Sequence, residues 1–317
     1  MKTELGTNIS KAAALLTADE LVAIPTETVY GLAGNALSEI AVSKIYAAKN
    51  RPSFNPLILH VSGIKQLSKY ALVDSVSALL AREFMPGPLT LLLPKKNIVP
   101  DITTAGSNKV ALRVPQHPLC LELLHSIDFP LAAPSANISG YISPTTAAHV
   151  AAGLHGKIPY ILNGGTAAVG LESTICEVMH QKIIIHRTGG ISANELQRVS
   201  ALELVLVNNQ KSVETAGQLK SHYAPNTPLY RGDIADIIAR NSGKKIACIS
   251  FQKRYDGVEN FVLSPSGNLA EAANLLFATL RLVDAGNFDL ICTELFPNEG
   301  IGPAINDRLG RAQFLYK

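Results

Sequence analysis

Residues 21–32 read LVAIPTETVYGL. The run 21–24 is short and apolar, and Pro25 stops it, as at the end of a buried strand. Directly after it, Pro25 and Gly31 bracket the hydroxyls of Thr26, Thr28 and Tyr30. Open α/β sheets place their ligand crevices at such strand ends, with polar residues on stiff turns. Taken alone, an ordinary turn with Ser/Thr capping explains the segment as well.

The same pattern spreads outward over the first two thirds of the chain. Apolar positions recur at helical spacing over 9–17, and a helix over 38–49 is expected to bury Ile40, Ile45 and Ala48 on one side. Extended runs lie at 56–61, 89–93, 110–114, 130–133, 160–162, 173–178 and 182–186. Helical segments at 73–84, 119–125, 145–152 and 193–199 separate some of them. Several strands follow one another too closely for a crossover helix, which predicts a twisted mixed sheet rather than a pure βαβ array. Residues 208–228 are polar, carry Gly217, Pro225 and Pro228, and hold no period, so they read as an interdomain linker. Beyond it a second, smaller α/β pattern runs through strands at 245–250, 260–263 and 288–293 and helices at 270–285 and 304–313. The expected division is 1–207, 208–228 and 229–317.

Composition narrows the class. At 317 residues the chain exceeds the size at which one core stops growing. With 47% hydrophobic and 17% charged residues it is not a disordered chain. No run approaches the roughly 20 apolar residues of a membrane span, and Glu4 and Lys11 interrupt any signal-peptide core. A soluble cytoplasmic protein is expected. The net charge of +3 divides as 16 basic and 14 acidic residues over 1–205 and 12 and 11 over 206–317, which excludes a non-specific coat for nucleic acid. Cys120, Cys176, Cys248 and Cys292 lie far apart and form no C-x-x-C pair, so buried thiols in a reducing compartment are the expectation.

Familiar site signatures are missing: no P-loop, no G-x-G-x-x-G, no H-E-x-x-H and no G-x-S-x-G. Polar residues at strand ends remain. Lys49, Arg51 and Asn55 close a helix and lead through Pro52 and Pro56 into a strand ending at His60. Cations there suit a helix dipole, and equally suit phosphate, which arginine grips in two places and lysine as a point charge. Arg113 alternates with apolar residues inside 110–114 and needs a partner, either a structural carboxylate or that of a ligand. The stretch 133–140 (APSANISG), with Ser143 after it, lets backbone approach a ligand before a helix N-terminus; a capped loop is the plainer reading. Gly170–Ile175 and His186–Gly189 add hydroxyls and Arg187. Together these residue types suit an anionic, phosphate-bearing ligand and a small polar co-substrate.

With those segments assembled, the sequence resembles the YrdC-type threonylcarbamoyl-AMP synthase family in its longer, two-domain form. The resemblance rests on PTETVYGL at 25–32, Lys49-x-Arg51, Asn55-Pro56-Leu57, PGPLT at 86–90 and Arg113-Val114-Pro115. It continues through Ser135-x-Asn137, Glu172-Ser173-Thr174-Ile175 and SHYAP at 221–225. It implies a YrdC-like α/β domain followed by a Rossmann-like one. It also implies an L-threonylcarbamoyladenylate synthase, a nucleotidyltransferase that joins L-threonine, bicarbonate and ATP for tRNA threonylcarbamoyladenosine formation. Thr28, His60, Arg113, Ala133 and Ser173 would then line the threonine side. Lys49, Arg51, Asn55, Ser135, Asn137, Ser143, Arg187 and Tyr223 would line the ATP side, with Lys49 and Arg51 catalytic. No protein metal site is implied, and Mg²⁺ would ride on the ATP phosphates.

Two positions depart from the family. Lys109 stands where a small hydroxyl residue is usual, and Ala216 precedes Gly217 where proline is common. The linker is expected to act as a lid over the nucleotide. A different class of function also fits the cations at Lys44, Lys49, Arg51, Lys95, Lys96 and Arg113: an RNA-binding factor of translation or ribosome assembly, in contact with tRNA or double-stranded RNA. The lack of interleaved aromatics weighs against it.

Overall fold

A computed structural model describes residues 2–207 and 223–313. Its first unit is built on strands β1 (Glu4–Gly6), β2 (Val22–Ile24), β3 (Gly31–Asn35), β4 (Ile58–His60), β5 (Leu89–Pro94) and β6 (Lys109–Arg113). To these it adds β7 (Leu131–Ala132), β8 (Tyr160–Leu162), β9 (Thr174–Met179), β10 (Lys182–Arg187) and β11 (Glu203–Leu206). They join in the order β1-β8-β2-β3-β7-β4-β6-β5-β9-β10-β11. β4 runs parallel to β6 and β5 parallel to β9, while β5 and β6, and β9 and β10, are antiparallel. The sheet is mixed, as the short connections require.

Burial on both faces explains the unbroken apolar runs at the centre. Leu89, Leu91 and Leu93 of β5 enter the large core with Leu80 and Leu112. Leu92 faces the other way and packs with Ile58, Ala111 and Ile175. Each such side chain, fully buried, contributes about 1.5–3 kcal/mol.

The helix Glu39–Lys49 is capped by Ser38, whose side chain accepts from Ala41 N, and ends at Asn50 in the left-handed region. Its buried stripe is Ala41, Val42, Ile45, Tyr46 and Lys49, and Ile40 is 62% exposed. The sequence reading placed Ile40 inward, which helical geometry forbids here: Ile40 and Ile45 stand roughly 140° apart around the axis. β1, β3, β11 and the helix Ile234–Arg240 were also not foreseen. β3 reads GLAGN, without the β-branched residues of a strand. Gly31 and Gly34 make room there: a Cβ at Gly31 would stand 3.1 Å from Ala133 Cβ, and one at Gly34 3.1 Å from Leu21 Cδ2.

The second unit is a parallel sheet of β12 (Leu229–Arg231), β13 (Ile246–Ser250), β14 (Glu259–Val262) and β15 (Leu290–Thr293), ordered β12-β15-β13-β14. Residues 208–222, including Ser221 and His222, lie outside the described residues, and so does that part of the linker expectation. β11 still belongs to the first sheet and β12 opens the second.

The two units share one apolar cluster. Val29, Ile142 and Leu171 pack with Leu276, Phe277 and Leu280 of the helix Leu269–Asp284. Asn274 Nδ2 donates to the carbonyls of Ala167 and Ala168, each at 2.8 Å, and Tyr141 Oη donates to Asp284 Oδ2 at 2.7 Å. Gly170 makes the approach possible, since its φ is +76° and a Cβ there would lie 2.5 Å from Asn274 Cα. Among the described residues no helix is long and apolar enough to cross a membrane.

Candidate active site

β4 and β6 end side by side because they run parallel, with His60 and Arg113 as register partners. Across β5 and β9, β10 ends at the same side of the sheet with Arg187, while β5 and β9 begin there and β3 joins through the bridge Gly31–Ser135. The ends meet around a cleft lined by Thr26, Thr28, Arg51, His60, Arg113, Ala133, Ser135, Glu172, Ser173, Arg187 and Tyr223, among others.

One side of the cleft is organised by Arg113, which is 4% exposed. Its Nη1 donates to Thr28 Oγ1 at 2.9 Å and its Nε to Gly87 O at 3.2 Å, while Nη2 stands 2.7 Å from Glu27 Oε1. Thr28 and Thr26 hydroxyls share a 2.8 Å hydrogen bond. His60 is buried, and burial, with the Arg113 charge beside it, pulls its pKa down to about 3. The imidazole is therefore neutral at physiological pH, and its Nδ1 has no hydrogen-bond partner among the described residues. Buried polar atoms left without partners concentrate at sites that bind or react. Ser173 joins the two sides, bonded to Thr90 Oγ1 at 2.7 Å and accepting from Arg187 Nη2 at 3.0 Å. Gly189 lets that strand end press close, for its Cβ would fall 2.4 Å from the Ser173 carbonyl carbon.

The other side is set by the helix end. After left-handed Asn50 the chain reverses, Arg51 N donates to Tyr46 O, and the Arg51 side chain turns inward. Its guanidinium is fixed by Asn55 O at 3.1 Å, Asn55 Oδ1 at 2.6 Å and Pro56 O at 3.0 Å. Burial lowers the pKa of Arg51 to about 10 and lowers that of Arg187, and both stay charged at neutral pH. Arg51, Arg113 and Arg187 outnumber the nearby carboxylates Glu27 and Glu172, so the cleft favours anions.

Not every candidate residue reaches the cleft. Lys49 is 1% exposed and its ammonium donates to the carbonyls of Ser135 and Asn137. Asn55 Oδ1 accepts from Arg51 at 2.6 Å, Asn137 Nδ2 donates to Ile138 O and Tyr141 O, and Ser143 donates to Glu172 Oε1 at 2.6 Å, while Asn55 Nδ2 and Asn137 Oδ1 have no hydrogen-bond partner among the described residues. None of these four lines the cleft, whose wall on this side is presented by Arg51, Ser135 and Glu172. Lys109 has a role of its own away from the cleft: its ammonium lies 2.6 Å from Glu177 Oε1, and Glu177 Oε2 lies 3.2 Å from His186 Nε2.

The chain matches the family model described as "Telomere recombination" (Sua5, YciO and YrdC) over residues 14–189, and that described as "Threonylcarbamoyl-AMP synthase, C-terminal domain" over 191–313. It is 40% identical to threonylcarbamoyl-AMP synthase of Pyrococcus abyssi, covering 95% of this chain and 92% of that one. The Bacillus subtilis enzyme of the same name is 38% identical, over 98% and 94%. This chain belongs to the threonylcarbamoyl-AMP synthase family. The crystal structure of P. abyssi Sua5 complexed with L-threonine superposes with a TM-score of 0.90 at 36% identity, covering 98% and 97% of the two chains.

Sequence reasoning missed the contribution of the second unit. Arg281 Nη2 donates to Ile142 O, and its Nε donates to Ser143 O at 3.3 Å. Arg308, fully buried, reaches Glu172 Oε2 at 2.8 Å. A signal was present: Arg308 falls on the stripe Ala304, Ile305, Leu309, Ala312, and an arginine on an apolar stripe must find a partner.

Proposed function

We propose that the chain is a nucleotidyltransferase that condenses L-threonine, carbon dioxide from bicarbonate, and ATP into threonylcarbamoyl-AMP and pyrophosphate. The observation that carries this reading is the convergence, in one cleft, of Arg113, His60, Thr28, Ala133 and Ser173 on one side with Arg51, Arg187, Ser135 and Tyr223 on the other. The threonine carboxylate meets Arg113, and the nucleotide phosphates meet Arg51 and Arg187. Lys49, Asn55, Asn137 and Ser143 support the nucleotide wall from behind. The L-threonine held by the P. abyssi relative supports the amino-acid side of the assignment.

The chemistry asks for placement more than for a protein nucleophile. Threonine's neutral amine adds to carbon dioxide and loses a proton to give a carbamate. A carbamate oxygen then bonds to the α-phosphorus as the bond to the bridging oxygen breaks, and pyrophosphate leaves with the electron pair. Fixed cations stabilise charge on the phosphates, and a rigid cleft aligns the reactants. Neutral His60 acts as a hydrogen-bonding ligand. Among the described residues no group of metal-ligating side chains converges, and Glu27 and Glu172 are engaged by arginines. Magnesium enters as part of the ATP substrate, held by phosphates and water. The product, a mixed anhydride, passes to other proteins that modify tRNA.

The RNA-binding alternative gains no support from the relatives' names, and Lys49, Arg51 and Arg113 are at most 8% exposed, too enclosed to follow a duplex backbone. Isothermal titration separates the two. The synthase binds ATP more tightly once threonine is present. Tight duplex RNA binding without that coupling speaks for the factor.

A further inference from the structure

Glu172 is an anion in a cleft that must admit a polyanion. It is the one carboxylate among the described residues lining the cleft. Its two oxygens face different partners: Oε1 accepts from Ser143 Oγ at 2.6 Å, and Oε2 from Arg308 Nε at 2.8 Å. Arg308 belongs to the helix Gly302–Gln313 of the second unit and lies 136 residues later in the chain. It does more than pair. Its Nη2 donates at 2.9 Å to Thr188 O, next to Arg187, and its guanidinium lies 5.2 Å from the Tyr223 ring centroid. Phe277 stacks against Tyr223 as well, with centroids 5.5 Å apart.

We propose that Arg308 is a positioning residue for nucleotide binding: it screens the Glu172 carboxylate and seats Tyr223 and Arg187, so that the first unit's cleft accepts ATP only with the second unit in place. This rests on the reading of the cleft as an ATP site. Without Arg308, Glu172 would stand as a buried, half-paired anion facing the phosphates. Burial alone would raise the Glu172 pKa, and the charges of Arg308 and Arg187 outweigh it and hold the group ionised. The site therefore needs the arginine of another domain to be both charged and attractive to anions. An ion pair that merely joined two domains would give the two partners equivalent roles.

Charge reversal of the outcome separates screening from joining. Arg308→Met and Glu172→Gln both break the buried pair, so both lower the melting temperature. Their effects on binding of the non-hydrolysable analogue AMP-CPP, titrated in the full chain below the melting range, have opposite signs. R308M weakens binding about tenfold or more, E172Q leaves it equal or tighter, and R308M/E172Q recovers most of the loss. Arg308→Lys, which keeps the charge, stays close to the wild type and covers the case in which R308M does not fold. Equal weakening by R308M and E172Q, or a double variant no better than R308M, overturns the proposal. Failure of the wild-type protein to bind AMP-CPP overturns the ATP reading and this inference with it. Wild-type binding without formation of threonylcarbamoyl-AMP contradicts the functional reading alone, and the opposite-sign effects would then still support the screening role.

Discussion

The Lys49 ammonium donates to the backbone carbonyl of Ser135, 86 residues further along the chain, and to that of Asn137. A helix end thereby holds the loop whose Ser135 lines the cleft. Lys49 is bonded to that backbone, while Arg51, two residues on, lines the cleft itself.

Lys49 and Arg51 should therefore separate on mutation. Lys49→Ala strands the buried carbonyl of Asn137 and the half-buried one of Ser135, and an unsatisfied buried group costs about 1–3 kcal/mol, so urea unfolding shifts to lower concentration along with loss of activity. Arg51→Ala should cost about a hundredfold in threonine-dependent pyrophosphate release, as for loss of one donor to transition-state charge. Arg51→Ala also strands Asn55 O, Asn55 Oδ1 and Pro56 O, so stability falls in both variants, and the separation lies in the activity of the folded protein. Full activity in folded Arg51→Ala would contradict the division.

Arg113→Lys should raise the KM for threonine and largely spare that for ATP. Lysine cannot reproduce the planar contact, and it also loses the fixed bond to Thr28 Oγ1. A rise in the ATP KM with threonine unaffected would put Arg113 on the wrong side of the cleft.

Acid should destabilise the protein through buried His60 and half-buried His149. The pKa of His60 is pulled down to about 3 and that of His149 to about 4, chiefly by burial, against an ordinary 6.5. Between those values the unfolded chain binds protons that the folded chain excludes. Stability is then fully present above pH 6.5 and declines as pH falls toward 3. His60→Gln should flatten part of that slope in melting temperatures measured from pH 7 to pH 4, and an unchanged slope would exclude His60 as a source.

Lys109 and Glu177 form a compensated pair. Burial raises the Glu177 pKa, but hydrogen bonds from His186 and Lys109 and their charges outweigh it and hold it below its ordinary value. Lys109→Ser should destabilise the fold, and K109S/E177Q should regain much of the loss, because an unpaired buried carboxylate costs more than a neutral amide. Additive losses in the two variants would refute the coupling.

The sequence made some features legible for physical reasons. Apolar runs such as 89–93 mark β5 because both sheet faces are buried, and apolar positions at helical spacing mark the helix Ile9–Thr17. The cleft's cations could be picked out because charges at strand ends stand out against apolar neighbours. Ile40 was misplaced because a list of apolar residues does not fix the phase of a helix. β3 was hidden because its glycines serve close packing rather than strand propensity. The distinction between Arg51 in the cleft and Lys49 behind it depends on the left-handed turn at Asn50, and the Arg308–Glu172 pair on domain packing. Neither can be seen in local patterns.

The most direct test of the central claim is the mass of the product formed by the wild-type chain from ATP, bicarbonate and L-threonine. The account predicts an AMP adduct of threonylcarbamate, with pyrophosphate released in equal amount and no adduct when threonine is left out. Hydrolysis of ATP without that adduct, at a rate indifferent to threonine, would contradict it.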